Sequence, residues 1–339
     1  MGKRTFLIAL LVIGVLPALL LGWGRRGHVN VTDSAIDLLP EPLGRFYHLN
    51  RNYIAMHSID PDLWVESKTG TPAYAHYIDL DLLDNALFDG IPKEYPAALA
   101  KFGEEKLKMA GTLPWEIARR KVELTSAFRE KRWEDVVRES AWIAHFVADA
   151  TMPLHTTKNY LGQSSGNLIL QEKGPNRSVH HRLEWGLLDT FPEHYDSISG
   201  ERRNVKRIDD VLEMSWSTVK DAYGLIPDVL SADRKASNED RGFGLAYYRV
   251  FDESVRPLVE RQLKRSQELI ASVWLSAWDD AGRPELPARK IIIDWGEVGA
   301  GSAATWKACA TPILVCGTMA FAIVILVWGL LKAGKRVRK

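Results

Sequence analysis

The chain has 339 residues, 46% hydrophobic and 26% charged, an ordinary globular composition with length for one large domain or two modest ones. The formal net charge of +1 excludes capture of a polyanion by bulk electrostatics. Such a substrate would have to be held by something local, such as metal ions.

Residues 1–22 open with Lys3 and Arg4 and continue as an apolar run from Phe6 to Leu21. This is the pattern of a signal peptide, with Gly22 the small residue at the cut. An uncleaved anchor is the alternative. At the other end, 312–331 carries no charge and has the length of a bilayer span, within a predicted transmembrane helix over 309–331. The basic tail 332–339 follows, and basic residues stay on the cytoplasmic side. A buried core helix is the competing reading of this run. The two ends together predict a membrane-anchored chain with its bulk outside the cytoplasm, periplasmic or extracellular.

Between the ends, strand signals are scarce and apolar residues recur at helical spacing. The spacing predicts helices over 98–111, 115–133, 133–150, 178–191, 207–226 and 252–278. Pro257 is expected near the start of the last one, or as its kink. These elements predict one all-α domain over 23–282 and a linker over 283–308. Cys309 and Cys316 lie in or beside the predicted span. The exported part therefore has no disulfide and relies on its core and on any metals it binds. Two glycosylation sequons occur, at Asn30 and Asn176.

The nine histidines hold the chemical signal. His145 and Asp149 are four apart on a predicted helix, so they share a face. Pro153 then breaks the helix, which lets His155 fold back toward that face. His180 and Glu184 form a second pair at the same spacing. Imidazole and carboxylate are the usual zinc ligands where cysteine is absent. Asp62 and His76 sit in loop-like stretches that could present further ligands. Asp60 competes with Asp62; alone, either reads as a turn or cap residue. His48, His57, His181 and His194 read as solvated or structural.

The segments WGRRGH (23–28), PDLW (61–64), AHYID (75–79), HFVADATMPLH (145–155), GN (166–167) and HHRLE (180–184) occur in an order that resembles the zinc-dependent phospholipase C and single-strand-specific zinc nuclease superfamily. The resemblance runs from Trp23 to about Asp189. It implies a multi-helix domain holding three zinc ions. One ion would take the amino nitrogen and carbonyl oxygen of Trp23, freed by leader cleavage, with His28 and Asp149. A second would take Asp62, His76, His145 and a bridging Asp149. The third would take His155, His180 and Glu184.

A cluster of this kind implies phosphodiester hydrolysis. Zinc lowers the pKa of a shared water to about 7 and offsets charge on phosphoryl oxygens. Asp62 and Asp149 would be the catalytic carboxylates. In the nuclease branch, the position of Asp79 resembles a carboxylate that binds the base edge, with Tyr77 as a stacking neighbour and Asn167 as a cleft residue. The alternative is that Asp79 caps a turn and Tyr77 is core. Glu184, where the nucleases carry aspartate, looks like the phospholipase branch. The expected substrate is therefore single-stranded nucleic acid, with phospholipid head groups as the alternative. A non-catalytic zinc-binding ectodomain is a further alternative, which the full ligand complement disfavours. No obligate protein partner is evident.

Overall fold

In the computed structural model, the described residues are 23–64, 71–84, 88–162 and 178–293. The leader, the apolar span with its tail, most of the linker and Asn167 lie outside them. One unit of contacts runs as far as Ile291, and a second begins at Ile292. Among the described residues the chain is all helix and turn, with no strand, and no helix is long and apolar enough to cross a membrane.

The elements in chain order begin with α1 (Gly24–Leu38), α2 (Leu43–Met56), α3 (Asp60–Trp64) and α4 (Leu80–Leu83). Next come α5 (Tyr95–Phe102), α6 (Glu104–Ala110), α7 (Leu113–Arg129) and α8 (Trp133–Thr151). The remainder are α9 (Val179–His181), α10 (Leu187–Thr190), α11 (Pro192–Tyr195), α12 (Val211–Tyr223), α13 (Ile226–Glu239) and α14 (Leu245–Asp280). A π turn, Arg182–Gly186, joins α9 to α10.

Helix α8 is the centre of the packing, with α1, α2, α7, α12 and α14 around it. Every residue from 143 to 151 is buried. Alanines at 144, 148 and 150 let neighbouring helices approach closely, and Phe146 and Val147 fill the space left over. A helix buried on all sides reads as apolar, yet His145 and Asp149 lie within it at 0% exposure. Their polar atoms must be satisfied inside the protein.

One expected helix divides and another is shorter than its spacing predicts. The 98–111 element breaks at Gly103, whose φ of +77° ends α5 and starts α6. The 207–226 element is α12, capped by the Asp210 side chain accepting from Glu213 N at 2.9 Å, followed by the separate α13. Ile226, Val229, Ala232 and Ala236 put a narrow apolar stripe on α13. Pro257 lies well inside α14, not near its start. It is exposed, as is Glu253. The carbonyl that loses its N–H partner there can bond water, which makes the proline tolerable. The Asn30 sequon falls on α1, where the Asn30 amide donates to Asp196 Oδ1 at 2.7 Å and Thr32 is fully buried.

The segment 74–80, which leaves the 3-10 turn Ala73–Ala75 and enters α4, is held from both sides by main-chain bonds. Ile78 N and Leu80 N donate to the carbonyls of His155 and Thr156, at 2.8 and 3.0 Å. Asp79 N donates to Ala110 O at 2.6 Å, and Thr112 N and Leu113 N donate back to Tyr74 O and Tyr77 O. Gly111 makes this possible. Its φ is +92°, and a Cβ there would fall inside the van der Waals shell of the Tyr77 carbonyl.

Gly111→Ala should therefore lower stability by more than about 2 kcal/mol, combining left-handed strain with a backbone clash. Gly103→Ala, with φ +77° but nothing within 4 Å of the added carbon, should cost only about 1–2 kcal/mol. Urea unfolding of the two variants tests the ranking; equal losses would refute the clash.

Candidate metal centre

Each candidate ligand is brought in by a different local device. The first turns of α1 carry His28, and the short α3 carries Asp62. The clamped segment supplies His76. One face of α8 supplies His145 and Asp149 at i and i+4. After α8, the Pro153–His155 turn folds His155 back. The α9 helix and its π turn bring His180 and Glu184.

These eight side chains meet. His76 Nδ1 lies 3.0 Å from His145 Nε2, 3.2 Å from Asp149 Oδ2 and 3.5 Å from Asp62 Oδ1. His145 Nε2 lies 3.3 Å from Asp62 Oδ1 and 3.2 Å from Asp149 Oδ2. His28 Nε2 is 3.4 Å from the other oxygen, Asp149 Oδ1, and His155 Nδ1 is 3.7 Å from that same oxygen. His155 Nε2 is 3.3 Å from Glu184 Oε1, which also touches His180 Nε2. Three groups could hold a metal ion: His28 with His145 and Asp149; Asp62 with His76 and His145; His155 with His180 and Glu184.

The surroundings suit cations. Among the described residues, no lysine or arginine pairs with Asp62, Asp149 or Glu184, which are at most 2% exposed. His28 Nδ1 and Nε2, His76 Nε2, His180 Nε2, Asp62 Oδ1 and Asp149 Oδ1 are buried and make no hydrogen bond. Buried polar atoms rarely go unsatisfied, and donor atoms converging in this way could serve as ligands to a metal ion. The outer contacts fix the tautomers. His145 Nδ1 donates to Ser58 O at 2.8 Å, and His155 Nδ1 donates to His76 O at 2.7 Å. Each turns its Nε2 toward the cluster, and a carbonyl bond at the other ring nitrogen is what commonly orients a metal-binding histidine.

Titration follows the same logic. Burial pushes His28, His155 and His180 below the ordinary imidazole value, with neighbouring imidazoles adding to the effect. They are kept in the neutral form that binds metals. Burial opposes the charge on His145, but Asp149 and Asp62 outweigh it and push its pKa up to about 10. Burial raises Asp149, yet His145 and His155 draw it well below the carboxylate range. Glu184 is pushed well above that range by burial and by the charges of Asp62 and Asp149.

Asp62, not Asp60, faces the cluster. Asp60 Oδ2 lies 2.9 Å from His57 Nδ1 and accepts from Trp142 Nε1 at 3.4 Å. His57 is thereby a buried structural residue. His194 Nδ1 lies 3.1 Å from the buried Asp252, His48 is 3.7 Å from Asp37, and His181 stacks on Trp185. Trp23 is fully buried at the start of α1. Its indole donates to Ala148 O and Thr151 Oγ1, both at 3.1 Å, which holds its main chain against the last turn of α8. Its carbonyl accepts from Gly27 N.

A cavity of about 180 Å³ opens beside the cluster, lined by His76, Tyr77, Asp79, Met109, Leu154, His155, Tyr160 and His180. Asp79 stands at the start of α4 but makes no capping hydrogen bond. Burial, then the nearby Asp81, pushes its pKa up to about 7, against the pull of Lys158. Met109, Leu154 and Tyr160 carry no sequence signal; only the fold puts them here. Compared with known proteins, the chain matches no family model and no curated protein.

Two outcomes follow. Asp62→Asn should lose bound metal, whereas Asp60→Asn should keep it and lose about 1–3 kcal/mol of stability as His57 loses its partner. Metal analysis and unfolding of both variants decide. Asp79 releases its proton near pH 4 when unfolded but only near pH 7 when folded. The folded state then binds more protons between these values, so rising pH costs stability across that window. Asp79→Asn is free of this cost. Its urea midpoint relative to wild type should climb from about pH 4 to 7 and stay level above; a flat difference would refute a buried, destabilised carboxylate.

Proposed function

We propose that the chain is a zinc-dependent phosphodiester hydrolase that cleaves single-stranded nucleic acid, similar to the zinc nucleases its motifs resemble. The observation behind this is the meeting of five imidazoles and three buried carboxylates, with no lysine or arginine pairing with those carboxylates among the described residues. His28 and Asp149, with the main chain of Trp23 after leader cleavage, would hold one ion. Asp62, His76, His145 and Asp149 would hold a second, and His155, His180 and Glu184 a third. When bound, zinc lowers the pKa of water toward neutrality and offsets charge on phosphoryl oxygens.

The chain's own groups have definable tasks. Asp62 and Asp149 accept protons or hydrogen bonds beside the phosphate. The Ser58 and His76 carbonyls keep two imidazoles in the ligating tautomer. Tyr77 and Tyr160 offer aromatic faces at the cavity, where base stacking is worth about 1–3 kcal/mol. Asp79, free of any capping role, can bond the edge of a base. Burial of Glu184 where the nucleases carry aspartate, and the apolar Met109 and Leu154 in the cavity wall, favour a second reading, a phospholipase C acting on head groups. The exported, membrane-anchored location suits both.

The zinc-loaded chain should hydrolyse single-stranded DNA or RNA faster than phosphatidylcholine; the reverse ranking selects the phospholipase. His145→Ala should reduce turnover at least about 100-fold, while His48→Ala should leave it unchanged. Absence of turnover on every phosphodiester, with zinc shown to be bound, would leave only a non-catalytic zinc-binding module.

A further inference from the structure

Arg182 stands midway between His180 and Glu184, but its side chain runs away from the cluster. Its guanidinium is buried, with Arg182 at 1% exposure. Nε donates to Tyr247 Oη at 2.9 Å and Nη2 to Asp233 Oδ1 at 2.5 Å. Tyr247 Oη donates to the same Oδ1 at 2.6 Å. The Phe243 ring covers the guanidinium at 4.0 Å. Asp233 belongs to α13 and Tyr247 to α14, so this one side chain ties the π turn to the C-terminal helix pair.

The main chain of Arg182 is fixed as well. Leu187 N donates to Arg182 O, the five-residue bond that closes the π turn. Glu184 sits inside that turn. A π turn is an uncommon interruption, and relaxing it to α geometry would shift Glu184 in register against His180. A buried ion pair adds little net stability over an apolar pair of the same shape. Its planar, forked donors do impose direction.

The geometry points to Arg182 as the positioning residue of the third metal group. Through Asp233 and Tyr247 it holds the π turn in the register that brings Glu184 to His155 and His180. It thereby sets the affinity of that group and leaves the other two alone. This rests on the metal reading above.

The test uses the full chain loaded with zinc, as wild type, Arg182→Lys and Tyr247→Phe. Trp274→Phe is the control, since its indole bonds Ser140 O within the core at 3.0 Å. Zinc is counted per chain and its affinities are measured by chelator competition. Wild type should hold three ions. Arg182→Lys and Tyr247→Phe should hold two with wild-type affinity and the third at least tenfold more weakly, while Trp274→Phe keeps all three. An unchanged third affinity in both variants, or an equal weakening of all three ions as general destabilisation would give, overturns the assignment. Fewer than three ions on wild type overturns the metal reading itself, and that failure shows before any variant is compared.

Discussion

Three carboxylates lie buried within one small volume, and no lysine or arginine among the described residues pairs with them. Moving a carboxylate from water into a dry interior costs on the order of 20 kcal/mol in the idealised limit, and several kcal/mol after relaxation. No stability of ordinary size absorbs three such costs without compensation. His145, pulled up to about 10, can carry one positive charge. Burial keeps His28, His155 and His180 in the neutral form and pushes Glu184 toward its protonated form, which leaves Asp62 and Asp149 to share that one charge. Divalent cations, which these groups could hold, would supply the remaining compensation. Its most buried helix, α8, carries two of the donor residues in the segment where every neighbour is packed.

The histidine pairs were legible because the helix repeat is regular. His145 and Asp149 are four apart on one regular helix, which makes them neighbours whatever surrounds them; His180 and Glu184 share that spacing, but the π turn sets how they meet. The turn at Pro153 was legible for the same local reason. Asp62 was not separable from Asp60, because the choice depends on His57 and Trp142, which reach Asp60 from elsewhere. The clamp on 74–80 was invisible because it is made by main-chain bonds, which leave no side-chain pattern. The narrow stripe of α13 went unread because small residues hold it and Asp233 interrupts it. That same Asp233 is the residue that needs Arg182, so one polar residue both obscured a helix and anchors the turn that carries Glu184.

The amino-terminal and third-group ends of the cluster are not independent pieces of scaffold. A Cβ at Gly24 would come within 3.1 Å of the Glu184 carbonyl and of the Trp185 ring. Arg26 donates to Asp189 at 2.9 Å and to Asp196 at 2.8 Å. Those ion pairs are exposed and worth little in energy, but they set α1 against the π turn and α10. Trp23 meanwhile is bonded to α8. The start of α1 is therefore fixed from two sides, and His28 enters the cluster from a position that both the α8 ligands and the Glu184 turn determine.

Sharing of ligands carries a consequence for how such a centre fills. His145 belongs to two of the three groups, and the two oxygens of Asp149 face different imidazoles. An ion at one position orients His145 and Asp149 for the next and removes part of the cost of ordering them. The same residues lose a counter-charge whenever either ion leaves. Coupling of this kind favours a centre that fills and empties together over one that titrates ion by ion. The third group shares no residue with the other two and meets them through the bond of His155 Nδ1 to the His76 carbonyl at 2.7 Å and the 3.7 Å contact of His155 with Asp149. Its occupancy is free to follow the π turn instead. A centre filled in this way would have two modes of control within one cluster: a tightly linked pair set by α8, and a separable site set by the π turn and the α13 and α14 residues that Arg182 binds.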